Sequence, residues 1–149
     1  DAVAAIFHDY ASRAPKPVTD LRALFSRLRG RGIVVGVATT DATGTAQRNL
    51  ATAGVTDLVD FVAGWDRGFG IKPDPGLVHA FCAAVKVASG EVVVVGDSVL
   101  DLTMGRNAQA GLVVGVLTGV TPRDVLAPLA DQVLDSIASI ESILPEDKQ

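Results

Sequence analysis

Two carboxylates, Asp97 and Asp101, follow an uninterrupted run of valines in the stretch VVVVGDSVLD. Asp97 leaves the apolar run directly, and Asp101 lies about one helical turn further on, a spacing that lets both face one point. Two close carboxylates repel unless a proton or a cation stands between them. With oxygen ligands only, that cation is Mg²⁺, which keeps several waters and takes one or two carboxylates; Mn²⁺ is the substitute. The competing reading is simple helix capping by Asp97 or Ser98, since Asp and Ser are common caps.

Other chemistry-bearing residues also stand after apolar runs. Thr39, Thr40 and Asp41 follow Ile33–Ala38 (IVVGVA) and precede a helical segment. Hydroxyls and free amides at a helix start can bind an anion, or can serve ordinary turn chemistry. Lys72 lies in the stiff loop sequence GIKPDP, where it is either held in place by the prolines or solvated as most lysines are. Trp65 and Asp66 follow a further apolar run and are placed at the mouth of a pocket. His8 and His79 have no metal-ligand spacing and read as surface or packing residues. Cys82, the single cysteine, sits among apolar residues as a buried structural thiol.

The elements that must position these residues alternate. Helical spacing predicts a first helix through Val3, Ile6, Phe7 and Tyr10, then a rigid Pro15–Pro17 linker. Thr19 is expected to cap a helix whose apolar face is Leu21, Leu24, Phe25 and Leu28. Strands follow at Ile33–Ala38, Leu58–Ala63, Val92–Val95 and Leu112–Leu117, with a short edge strand at Gln132–Leu134. Helices are expected from about Thr45 to Ala53, after Asp74-Pro75, after Asp97, after Thr121-Pro122, and through Ile137 to Leu144. Strands apolar throughout and separated by helices make a parallel sheet covered on both faces, a doubly wound open α/β fold. Such sheets bind ligands at the carboxyl ends of their strands, where Thr39, Lys72, Asp97 and Asp101 all fall.

Composition excludes other classes. The chain has 149 residues, 48% of them hydrophobic, enough for one domain with its own core. The net charge of −4 and a basic cluster limited to Arg27, Arg29 and Arg31 argue against nucleic-acid binding. No run approaches the roughly 20 apolar residues of a membrane span. The expectation is a cytoplasmic protein.

In combination, Thr39-Thr40, Lys72-Pro73-Asp74-Pro75 and VVVVGDSVLDLTMGRNAQAG resemble the haloacid dehalogenase-like hydrolases, most closely the phosphoglycolate phosphatase-like branch. The resemblance runs from Val18 to Leu144. It implies a Rossmann-like core at 18–149 and makes 1–17 the last helix of a helical cap plus its linker. It implies that Thr39, with Thr40, binds the transferring phosphoryl group, that Lys72 steadies charge on nucleophile and phosphate, and that Asp97 with Asp101 holds Mg²⁺.

One family feature is missing. The family's nucleophile and general acid/base form a D-x-D motif on the first, central strand, and no D-x-D occurs in this sequence. The core is therefore expected to be incomplete, with the apolar edges of Ile33–Ala38 and Val92–Val95 to be joined directly, bridged by another segment, or covered by a second chain. An intimate homodimer with exchanged elements is the expectation. Two functions follow. One is a metal-dependent phosphatase of small phosphorylated metabolites, broad in specificity, using a substitute nucleophile such as water activated by the metal. The other is a non-catalytic relative that binds phosphate or Mg²⁺, or only folds. A receiver or flavodoxin-like module fits the order of the motifs poorly.

Overall fold

The computed structural model describes residues 19–145 in full and the backbone of Ala4–His8. Its centre is a six-stranded, wholly parallel sheet of β1 (Ala4–His8), β2 (Val34–Ala38), β3 (Phe61–Ala63), β4 (Val92–Gly96), β5 (Leu112–Val116) and β6 (Gln132–Leu134). The strands lie in the order 3-2-1-4-5-6. The winding reverses at β1, and a doubly wound sheet opens its ligand crevice outside the strand ends at that point.

The valine runs form strands because both faces of the sheet are covered. On β4, Val93 and Val95 pack with α1 (Leu21–Gly30) through Leu21, Leu24, Phe25 and Leu28. Val92 and Val94 join the opposite cluster with Leu77, Val78 and Phe81 of α3 (Gly76–Val85) and Met104 of α4 (Val99–Asn107). Gly36 on β2 is part of that fit, since a Cβ there would meet the Phe81 ring.

The N-terminal reading needs correction. Ala4–His8 is a strand, not a helix, and it is the central one. It pairs in parallel with β2, His8 opposite Ala38, and with β4, Phe7 opposite Val95. Without it, two buried strands would carry unsatisfied backbone groups, a cost that outweighs the weak local preference of an apolar segment for helix. The gap is thus filled from within the chain, which removes the unpaired-edge argument for an exchanged dimer. The Pro15–Pro17 linker lies outside the described residues.

Smaller differences are local. Asp20, not Thr19, caps α1 by accepting from the Ala23 amide. A 3₁₀ turn at Thr56–Leu58 shortens the second predicted strand to Phe61–Ala63, and the last predicted helix is the 3₁₀ segment Ile137–Ile143. Two further helices complete the fold, α2 (Thr43–Thr52) and the short α5 (Arg123–Leu126). No helix among the described residues is long and apolar enough to cross a membrane.

Candidate functional site

The crevice is built from the chain that leaves β2, β3, β4 and β5. Thr39 follows β2 and is almost completely buried. Its amide donates to the Ala63 carbonyl at 3.0 Å, tying the ends of β2 and β3 together. Its hydroxyl accepts from the Asp41 amide at 2.9 Å, which leaves the O–H to donate elsewhere. Thr40 beside it is exposed.

These residues lead into α2, whose start is capped from a distance. The Asp66 carboxylate accepts from the Thr43 amide at 2.8 Å and from its hydroxyl at 2.6 Å, while that hydroxyl accepts from the Gly64 amide at 2.9 Å. The Thr43 hydroxyl and then its amide hold the Asp66 carboxyl below the usual carboxylate range. The linked stability is present above the unfolded carboxyl value, about 4, and is lost as pH falls through the lower folded value. Asp66→Ala is therefore expected to lower the melting temperature by a few degrees at pH 7. The gap from wild type should close in melts run progressively below about pH 4. A gap independent of pH would contradict this role.

Lys72 is buried, not solvated. Its Nζ donates to Asp101 Oδ1 at 2.7 Å and to the Ala38 carbonyl at 3.1 Å. The second bond fixes the ammonium at the residue before Thr39. The pair's side chains are 1% and 0% exposed. Asp101 Oδ2 accepts from the Ser98 hydroxyl at 2.8 Å, and Ser98 in turn caps α4 by accepting from the Asp101 amide at 3.3 Å. Capping and site-building thus coincide, with Ser98 as the cap. Gly96 makes the arrangement possible, because a Cβ there would overlap the Asp101 side chain.

Asp97 is also buried, but its carboxylate lies against a different neighbour. A Cβ at Gly119, in the loop after β5, would overlap it, so the carboxylate packs directly against that glycine. A buried carboxylate at a strand end is a residue type that can hold Mg²⁺ through one oxygen. Asp101 turns one oxygen to Lys72 and the other to Ser98. Among the described residues, no three His, Cys, Asp or Glu side chains converge on a point.

The structure therefore ties Asp101, through Lys72, to the Ala38 carbonyl just before Thr39, and sets Asp97 at the end of β4, across β1 from β2. Ser98 was expected only as a cap and Asp66 only at a pocket mouth, and Gly96 and Gly119 were not read from the sequence as parts of this framework. His79 is exposed, as expected, and the His8 side chain lies outside the described residues. Burial pushes the Cys82 thiol up, in keeping with an inert structural cysteine.

The sequence matches the haloacid dehalogenase-like hydrolase family over residues 1–114. It is 34% identical over 119 residues to a phosphoglycolate phosphatase of Rhodospirillum rubrum, an alignment covering 79% of this chain and 48% of that protein. Among solved structures it resembles a predicted phosphoglycolate phosphatase from Haemophilus somnus 129pt, with a TM-score of 0.80 at 23% identity over 89% of this chain and 59% of the other. It also resembles a hydrolase of the same family from Deinococcus radiodurans R1 with bound phosphate and sodium, with a TM-score of 0.73 at 26% identity over 84% and 57%. The chain spans about half the length of the curated relative it matches.

Proposed function

Because the chain belongs to the haloacid dehalogenase-like hydrolase family, we propose that it is a cytoplasmic, Mg²⁺-dependent phosphatase hydrolysing small phosphate monoesters with broad specificity. The observation that carries this reading is the buried Lys72–Asp101 pair anchored on the Ala38 carbonyl beside Thr39. Burial of an ammonium is costly unless it is paired, so its retention at a strand end bordering Thr39 and Asp97 argues for a built anion site.

Phosphoryl transfer needs positioning and charge neutralisation more than covalent chemistry from the protein. The Thr39 hydroxyl donates to a phosphoryl oxygen. Amides at the start of α2 and the Lys72 charge offset the negative charge that builds there. Asp101 holds Lys72 in position. Asp97 would hold Mg²⁺, which when bound would supply Lewis-acid charge neutralisation. With no D-x-D in the sequence, attack falls to water. The P–O ester bond breaks, the water oxygen stays on phosphorus, and its proton passes to the departing alkoxide.

The same absence favours the second reading, a non-catalytic phosphate- or Mg²⁺-binding relative. Highly purified protein assayed with a chromogenic phosphate monoester, with Mg²⁺ or Mn²⁺ and then with chelator, separates the two. Turnover lost on chelation and spread over several unrelated esters supports the phosphatase. Phosphate binding without turnover supports the second reading.

A further inference from the structure

A cleft of about 610 Å³ lies at the outer edge of the sheet, and none of Thr39, Lys72, Asp97 and Asp101 lines it. Its volume is that of a small-molecule site, about 300–1,000 Å³. The edge strand β3 contributes Phe61 and Val62, α2 contributes Leu50 from one face of the sheet, and α3 contributes Ala83 and Ala84 from the other. The Phe61 and Phe69 rings pack 6.4 Å apart and both line it. Gln47 and Thr56 are its neutral polar residues, and Asp60 and Arg67 its charged ones. The Asp60 carboxylate is paired with the Arg29 guanidinium. Arg67 makes no ion pair among the described residues, and its neighbour Asp66 is held by Thr43 instead. The Arg67 guanidinium lies over the Phe69 ring, 5.5 Å from its centroid, and donates through Nη1 to the Val62 carbonyl at 3.3 Å. That bond also occupies an acceptor of a three-residue edge strand, so the edge is poorly suited to adding another strand. The remaining N–H groups of the fork can serve a ligand oxygen.

We propose that this cleft is a second ligand site, separate from the phosphate site, for an apolar carboxylate, with an aromatic or branched aliphatic body against Phe61 and Phe69 and its carboxylate on Arg67. It does not depend on the phosphatase reading. The body leaves water for an apolar lining, and a planar guanidinium already anchored on two of the lining residues matches the geometry of a carboxylate. A neutral or cationic ligand with the same body leaves Arg67 without a carboxylate.

The full chain, isotope-labelled for amide NMR, is titrated with naphthylacetate, naphthylethanol and naphthylethylamine. Naphthylacetate is expected to shift the amides of Val62, Arg67, Phe69 and Ala83 with a Kd of about 1 mM or tighter. It should bind at least about threefold more tightly than the alcohol or the amine, within the range of an exposed ion pair. In Arg67→Gln the preference over the alcohol should disappear. In Ala83→Phe, a change at an exposed position of α3 that places a ring in the cleft, binding of all three should weaken at least about tenfold. The amide spectrum of each variant reports whether it is folded, and Arg67→Gln decides the matter alone if Ala83→Phe is not. Equal affinity for the three compounds, shifts confined to residues around Thr39 and Lys72, or no binding at all would each overturn the inference. Dimerisation in sedimentation that Ala83→Phe abolishes, with no binding of naphthylacetate, would make the cleft a face for a second copy and overturn it too.

Discussion

Asp101→Asn should lower the stability of the folded chain by about 3 kcal/mol or more, the upper part of the range for breaking a buried ion pair being about 5 kcal/mol. Native domains have only about 5–15 kcal/mol in total, so this one change removes a large fraction. The expected fall in melting temperature is roughly 10 °C. The cause is loss of the carboxylate that meets the Lys72 ammonium at 2.7 Å, at a depth where the pair is 1% and 0% exposed. Lys72→Met should be similarly costly for the opposite reason, because it takes the ammonium from a carboxylate that is 0% exposed. The double variant discriminates this from mere loss of packing. With both charges gone, the buried pair is removed as a unit, and the loss should fall short of the sum of the single losses by about 1–3 kcal/mol. Urea melts of the four proteins measure the coupling. Additive losses would mean that the two residues contribute separately and that the pair is not the unit described.

That pair also shows what a sequence can and cannot disclose. The valines of β4 and the Leu21, Leu24, Phe25 and Leu28 face of α1 are legible because period and burial coincide within a few residues. The positions of Thr39, Lys72, Asp97 and Asp101 are legible for a related reason: in a parallel sheet, whatever follows an apolar strand lies on the ligand-binding rim. Partnerships are another matter. Lys72 and Asp101 are 29 residues apart, and Asp66 reaches back 23 residues to cap α2. No local pattern encodes either contact. Gly96 and Gly119 look like ordinary turn glycines until Asp101 and Asp97 are packed against them.

Ala4–His8 is the sharpest case. Val3, Ile6, Phe7 and Tyr10 do recur at helical spacing, and nothing within the segment argues strongly for a strand. The decision is made by β2 and β4, whose facing edges need a partner along their length. Tertiary demand overrides a weak local signal, and it restores the central strand without restoring the D-x-D motif.

Asp97→Asn should have the complementary signature, a large functional loss with a modest change in stability. Asparagine keeps the size of the side chain packed against Gly119. What it removes is the negative charge that anchors a divalent cation. Under the proposed function, phosphatase turnover should fall by about 10²–10³-fold, the scale of losing one preorganised electrostatic partner of the transition state. The half-saturating Mg²⁺ concentration should rise by at least tenfold, roughly the effect of losing about 1.4 kcal/mol of binding. Calorimetric Mg²⁺ titration in the absence of substrate supplies a readout independent of turnover. The urea midpoint should stay much closer to wild type than that of Asp101→Asn. If Asp97→Asn bound Mg²⁺ and hydrolysed esters as the wild type does, the metal would have to sit elsewhere, and Asp97 would be only the residue that ends β4. If it instead unfolded as readily as Asp101→Asn, its carboxylate would belong to the folding framework with Lys72, and the division between a charge that holds the lysine and a charge that holds the cation would fail.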